Sequence, residues 1–145
     1  MIATKYQYAE IVNVQDIEIK NIGIIKEANV KFSSGLNIIY GEGGSGKTTF
    51  IKHLLENYNF DSLSERQKVF FQIQNALNST TLVFDDLLGR LNEKDSLEIL
   101  KKLSDSKRQI ILTINSIEWQ KYKNKIRVNA IDTASFALNN FNHEN

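Results

Sequence analysis

Between residues 16 and 32, apolar and polar side chains trade places at period two. Asp16-Ile17-Glu18-Ile19-Lys20-Asn21 and Ala28-Asn29-Val30-Lys31-Phe32 each put their apolar members on one face, which predicts two half-buried strands. Ser33-Ser34-Gly35 is a turn cluster, and Leu36-Asn37-Ile38-Ile39-Tyr40 after it is the short apolar run of a strand covered on both faces. Residues 1–15 alternate more weakly through Tyr6, Tyr8, Ile11, Val12 and Val14, which predicts an edge strand.

The period then changes. Phe50, Ile51, Leu54 and Leu55 recur at helical spacing over Lys47 to Tyr58, and a polar break from Asn57 to Ser62 follows. Ser64 with Gln67 three residues on is a capping box, and Val69, Phe70, Ile73 and Leu77 continue it as a second helix. Thr80 to Asp85 reads as a buried strand ending in acid, and Leu97, Leu100 and Leu103 mark the next helix. Gln109 to Ile114 reads as a further buried strand and Ile117 to Tyr122 as a short helix. Lys125 to Val128 and Ser135 to Leu138 are predicted strands, and Asn139 to Asn145 a frayed polar tail. Buried strands alternating with helices predict an α/β fold with a mainly parallel core sheet flanked by helices and preceded by a small antiparallel β piece. No repeat or linker divides residues 1–145, so a single domain is expected.

Composition narrows the chemistry. The chain of 145 residues has no Cys, which removes disulfides and thiolate metal sites, and 18 Lys and Arg against 17 Asp and Glu leave no charge-based case for nucleic acid. No run approaches the ~18 apolar residues of a membrane span. The first residues lack the layout of a secretory signal, so a cytoplasmic location is expected.

Of only 7 glycines, Gly41, Gly43, Gly44 and Gly46 crowd into one short window. Gly41-Glu42-Gly43-Gly44-Ser45-Gly46-Lys47-Thr48 satisfies G-x-x-x-x-G-K-[ST], between a predicted buried strand and an amphipathic helix. In such a loop successive N–H groups face a polyphosphate, the helix N-terminus adds positive potential, Lys47 reaches the β- and γ-phosphates, and Thr48, followed by Thr49, offers a hydroxyl to Mg²⁺. Leu82-Val83-Phe84-Asp85-Asp86 supplies the partner: Asp85 to hold the cation through its water and Asp86 to orient or deprotonate an attacking water. The alternative for the acid pair is a solvated helix cap. Ser64-Glu65-Arg66-Gln67 reads as a helix start or as a second anion-facing element, and Asn115 as a turn residue or as an amide reaching the γ-phosphate.

Together these residues resemble the heads of ABC-type ATPases, nearest the subgroup with SMC, RecN and RecF proteins. Ile17 to Gly23 and Gly35 to Glu42 are similar to that family's opening strands. Leu63-Ser64-Glu65-Arg66-Gln67-Lys68 is similar to its signature segment "LSGGERQ", and Asn75-Ala76-Leu77 to the close of the helix after it. The resemblance implies an ATPase using ATP and Mg²⁺, with Leu82 to Asp86 as Walker B strand, Leu91-Asn92 near the D-loop and Asn115 where a switch histidine usually stands. It also implies a nucleotide-sandwiched homodimer in which Ser64 faces the partner's ATP, and, by family analogy alone, a partner protein or DNA. Lys101, Lys102, Lys107 and Arg108, with Lys121, Lys123, Lys125 and Arg127, are the candidate DNA face, or plain solvated surface. Several departures mark a stripped-down head: the signature glycines are missing, Asp86 replaces the usual glutamate, no histidine occupies the switch position, and Lys47 to Asp85 is too short for the family's helical insertion.

Three other readings use the same loop. A RecA- or RadA-like recombinase core also suits Gly35 to Gly41 and Thr113-Ile114-Asn115, and stacks head-to-tail. A small-molecule kinase fits the size, but Arg66, Arg90, Arg108 and Arg127 form no arginine-rich lid. A nucleotide-binding regulatory subunit without turnover agrees with the degenerate signature.

Overall fold

The computed structural model describes residues 8–59, 61, 63–77 and 80–139. Tyr6, Ser62 and the tail from 140 to 145, each part of an expectation above, lie outside the described residues. Among the described residues, eight strands form two sheets. β1 (Tyr8–Ile11), β4 (Leu36–Gly41), β5 (Thr81–Asp85), β6 (Ile110–Asn115) and β7 (Asn129–Asp132) make a five-stranded sheet in the order β1-β5-β6-β4-β7. All its pairings are parallel except β1 against β5. β2 (Asp16–Ile22), β3 (Ile25–Lys31) and β8 (Ala137–Leu138) form a smaller antiparallel sheet. The fold class is therefore α/β as expected. The antiparallel piece does not merely precede the core, because its third strand comes from the far end of the chain.

The helices are α1 (Lys47–Asn57), α2 (Glu65–Leu77), α3 (Glu93–Asp105) and α4 (Ser116–Tyr122). From β4 the chain moves two strand positions to β5, then reverses through β6 to β7 on the other side of β4. Right-handed crossovers require the helices to change face when the direction reverses. They do: α1 buries Phe50, Ile51 and Leu54 on one face with Ile39, Val83 and Ile111, whereas Leu100 of α3 and Trp119 and Tyr122 of α4 pack on the other with Ile38, Ile110 and Leu112. Ile17, Ile19, Ala28 and Val30 of the small sheet cover the outside of α1, which is thus held between two sheets. That double cover fixes the helix whose N-terminus adjoins the glycine-rich loop.

At the opposite end of the sheet, two buried amides tie the loops together. Asn37 accepts from the Ser33 N–H at 2.8 Å and from the Asn129 Nδ2 at 2.7 Å, while its own Nδ2 donates to the Gly35 and Ile110 carbonyls at 3.0 and 3.2 Å. Gln109 accepts from the Val14 N–H and donates to the Val14 and Ser33 carbonyls. Buried amides so fully paired hold specific geometry at little net cost.

Some expectations need correction. Lys125 to Val128 is turn and extended coil; the strand falls at Asn129–Asp132, where its N–H and C=O groups can pair with β4. Residues 133–135 form a 3-10 turn, leaving only Ala137–Leu138 as strand. The capping box forms, with the Ser64 N–H donating to Gln67 Oε1 at 2.8 Å and the Gln67 N–H to Ser64 Oγ at 3.2 Å. Yet Val69, Phe70 and Ile73 of that helix are 54%, 57% and 58% exposed rather than packed. Among the described residues, no helix is long and apolar enough to cross a membrane.

Candidate functional site

The carboxyl ends of the parallel strands line up along one edge of the sheet. Gly41 is in register with Asn115, Tyr40 with Asp132 and Asp85 with Thr113, so residues distant in sequence meet at the place where open α/β sheets take ligands. The glycine-rich loop leaves this edge from β4 and enters α1.

Gly44 (φ +79) and Gly46 (φ +104) occupy the left-handed region, which side chains rarely tolerate, and this is how the chain turns back within a few residues. Gly41 is required for a different reason: a Cβ there would collide with Thr133 Oγ1. Within the loop, Ser45 donates from its N–H to the Glu42 carbonyl at 3.2 Å and from its hydroxyl to the same oxygen at 2.6 Å. Helix α1 begins without a side-chain cap and without an acidic residue in its first turn. Its first N–H groups are thus left for an anion, and the helix dipole favours one there.

Lys47 folds across the mouth of the loop, donating to the Gly41 carbonyl and, at 3.2 Å, to the Glu42 carbonyl. Partial burial lowers its pKa, against the opposing pull of Asp85, Asp86 and Glu42. The loop lysine and both acids therefore share one electrostatic neighbourhood. Thr48 is exposed and Thr49 half-buried, its methyl facing Gly23 of the β2–β3 turn.

The strand that carries Asp85 does not adjoin the strand that feeds the loop; β6 lies between β5 and β4. The inserted strand carries the missing link. Thr113, buried to 1% exposure, donates its hydroxyl to Asp85 Oδ1 at 2.6 Å and accepts the Asp86 N–H at 2.9 Å. Asp86 is held left-handed (φ 59) with its carboxylate against Gly89, 3.0 Å from where a Cβ on that glycine would stand. Asn115 caps α4, its Oδ1 accepting the Glu118 N–H at 2.7 Å. Asn115 is thus beside the loop, as a capping residue whose NH₂ group takes no part in the cap.

Ser64 is not brought to this edge. Leu63 and Gln67 share a groove with Asn57 and Tyr58 at the far end of α1, a helix of 11 residues and therefore ~16 Å long. The basic groups outside the site are partly neutralised: Arg108 pairs with Glu10 at 2.8 Å, Lys121 with Glu118 at 3.3 Å and Lys102 with Glu98 at 3.7 Å. Among the described residues no group of three or more His, Cys, Asp and Glu side chains gathers to hold a metal. A divalent cation here would take a hydroxyl and a carboxylate from the protein and complete its shell with water and ligand oxygens.

Two comparisons bear on this geometry. The model of an AAA domain matches residues 16–55, from β2 through most of α1. That of a family of unknown function (DUF5906) matches residues 39–144, from the end of β4 through β8. The chain belongs to the DUF5906 family. The AAA match supports a P-loop AAA-type ATPase-like domain in this DUF5906 protein and does not extend to the SMC, RecN and RecF subgroup. Neither a curated protein nor a solved structure matches the chain significantly.

The residues that sequence reading missed in this DUF5906 protein are Thr113 and Thr133. Thr113 left a signal, as the one hydroxyl inside Ile110-Ile111-Leu112-Thr113-Ile114. Thr133 left none, because its importance arises from a contact with Gly41 across the chain.

Proposed function

We propose that residues 1–145 form one minimal P-loop domain that binds ATP with Mg²⁺ and hydrolyses it slowly to ADP and phosphate. The observation that carries this is the uncapped, acid-free N-terminus of α1 behind a loop whose glycines turn its backbone, with Lys47 and Asp85 in one electrostatic neighbourhood. Gly41, Glu42, Gly43, Gly44, Ser45 and Gly46 would wrap the phosphates with their N–H groups. Lys47 would leave the loop carbonyls for the β- and γ-oxygens, exchanging neutral acceptors for anionic ones. Thr48 and Asp85 would hold the cation, the latter through water, with Thr49 adding a donor at the helix start. Asp86 would orient or deprotonate the attacking water, and Asn115 would offer its NH₂ to the γ-phosphate or that water.

A reading without turnover is favoured by one observation: the Asp86 carboxylate is turned toward Gly89. The ABC-type reading adds that nucleotide governs self-association, with Ser64 facing a neighbour's phosphates; its support is the formed capping box and the exposed Val69, Phe70 and Ile73. A partner protein or DNA as the object of this switch has support from family resemblance only. The RecA-like alternative predicts open stacking instead of a closed pair.

Calorimetry with Mg-ATP tests the core claim. The parent should bind and Lys47→Ala, verified as folded by circular dichroism, should not. Binding equal in both, or absent from the parent, sinks the proposal. Asp86→Asn should bind like the parent while turnover falls, and equal turnover would remove Asp86 from the mechanism. Chromatography with and without Mg-ATP tests association, and a monomer in both conditions from a sample that binds ATP rules the pair out.

A further inference from the structure

We infer that Thr133 is a positioning residue for the 41–48 loop, its hydroxyl setting the loop's shape through Ser45 before any ligand arrives. This rests on the nucleotide reading above only for its consequence, not for the geometry. Thr133 is 3% exposed and follows β7, far in sequence from the loop it touches. Its Oγ1 donates to Ser45 Oγ at 2.8 Å, and that hydroxyl in turn donates to the Glu42 carbonyl at 2.6 Å. The chain Thr133–Ser45–Glu42 therefore spans the loop from beneath, while Gly41 packs directly on the Thr133 side chain.

The segment bearing Thr133 is itself fixed at both ends. Asp132 accepts the Ala134 N–H at 2.9 Å and closes a 3-10 turn. Phe136 then stacks on Phe50 of α1, with ring centroids 5.5 Å apart, and stands 3.3 Å from where a Cβ on Gly46 would lie. Asn139 ends the strap on the β2–β3 turn, donating to the Ile24 and Gly23 carbonyls at 2.9 and 3.1 Å. A segment bonded into both sheets thus presents one buried hydroxyl to an otherwise glycine-rich loop. When Lys47 leaves the Glu42 carbonyl for a phosphate, Ser45 still holds that oxygen, through its hydroxyl at 2.6 Å and more weakly through its N–H at 3.2 Å. Loss of the Thr133 hydroxyl frees Ser45 to rotate, so the loop must be ordered at the moment of binding and affinity falls.

Thr133→Val keeps shape and removes the hydroxyl; Thr133→Ser restores it. Amide hydrogen exchange in the nucleotide-free protein should show the loop amides at Ser45 and Gly46 exchanging about tenfold faster in Thr133→Val and near the parent rate in Thr133→Ser. Mg-ADP calorimetry should show affinity about tenfold weaker in Thr133→Val, with Ser45→Ala giving a similar loss and the double variant no more than either alone. Parent-like loop exchange in Thr133→Val, a Thr133→Ser variant as impaired as Thr133→Val, or fully additive losses would overturn the inference. If the parent binds no nucleotide the proposed function fails, and the exchange measurements still decide the role of Thr133. Should Thr133→Val not fold, Ser45→Ala breaks the same relay from its half-buried end and is read the same way.

Discussion

Thr113 couples the two acids at the end of β5, and its replacement by valine isolates that coupling. Valine matches threonine in shape and suits a strand at least as well, so neither a cavity nor a propensity loss confuses the result. What disappears is one hydrogen bond to a carboxylate oxygen at 2.6 Å and one from a backbone N–H at 2.9 Å. The first is charge-assisted and worth ~1.5–3 kcal/mol, the second about 1 kcal/mol. Asp85 is half-buried, so water recovers part of the first; burying the added methyl recovers a little more. We expect a net loss of about 2 kcal/mol. At roughly 2–4 °C per kcal/mol for a chain of this size, Tm should fall by about 4–8 °C. Urea unfolding without nucleotide gives the same quantity as a lower midpoint with unchanged slope. Asp85→Ala in the Thr113→Val background should cost less than in the parent, because the shared bond is already gone. A Thr113→Val protein within ~0.5 kcal/mol of the parent would refute the reasoning, since surface-like substitutions fall in that range.

Three further outcomes follow from the geometry. Gly41→Ala should destabilise the nucleotide-free protein by roughly 2 kcal/mol or more through its clash with Thr133, and Thr133→Ala should recover part of that in the double variant, since it removes the colliding Oγ1 and leaves the Cβ at 3.0 Å; thermal melts of the four proteins check this. Hydrogen bonding from Thr80, reinforced by Arg108, holds the Glu10 carboxyl below its ordinary value of 4.5. A depressed folded-state pKa means the stabilisation is complete above that value and is lost as pH falls through the lower folded one, so Glu10→Gln should flatten the acid limb of stability and cost under ~1 kcal/mol at neutral pH, the pair being largely solvated. For Lys47, burial lowers the pKa while Asp85, Asp86 and Glu42 oppose the shift; Asp85→Asn should therefore lower it further, visible as an earlier titration of its side-chain NMR signals, and an unchanged titration would place Asp85 out of its reach.

How far the sequence could be read follows from how local each feature is. The strands at Asp16–Ile22 and Leu36–Gly41 and the helices at Lys47–Asn57 and Glu93–Asp105 are set by periodicity within a dozen residues, and they stand where the pattern predicts. Lys125 to Val128 misled because Ile126 and Val128 alternate with charge as a strand would. The stretch just after it has the hydrogen-bonded partner, Asn129 beside Asn37 and Ile131 beside Ile39, so tertiary pairing overrode the local signal. Strand order was invisible for the same reason: nothing in Leu82 to Asp85 says that β6 will separate it from β4.

The site repeats this division. The residues that would meet the phosphates are contiguous, Gly41 to Thr49, and so are legible; those that hold them in position come from 113, 133 and 136 and are not. A loop with two left-handed glycines has little shape of its own, because the freedom that lets it wrap an anion also lets it wander. Its shape must then be imposed from elements that cannot adapt: β6 through Thr113 on the acids, and the strap from β7 to β8 through Thr133 on Ser45 and Phe136 against Gly46. The chain order agrees with this, since the loop lies in the first third and both braces in the last, so the shape of the loop depends on β6 and β7 pairing with β4 and on β8 pairing with β3.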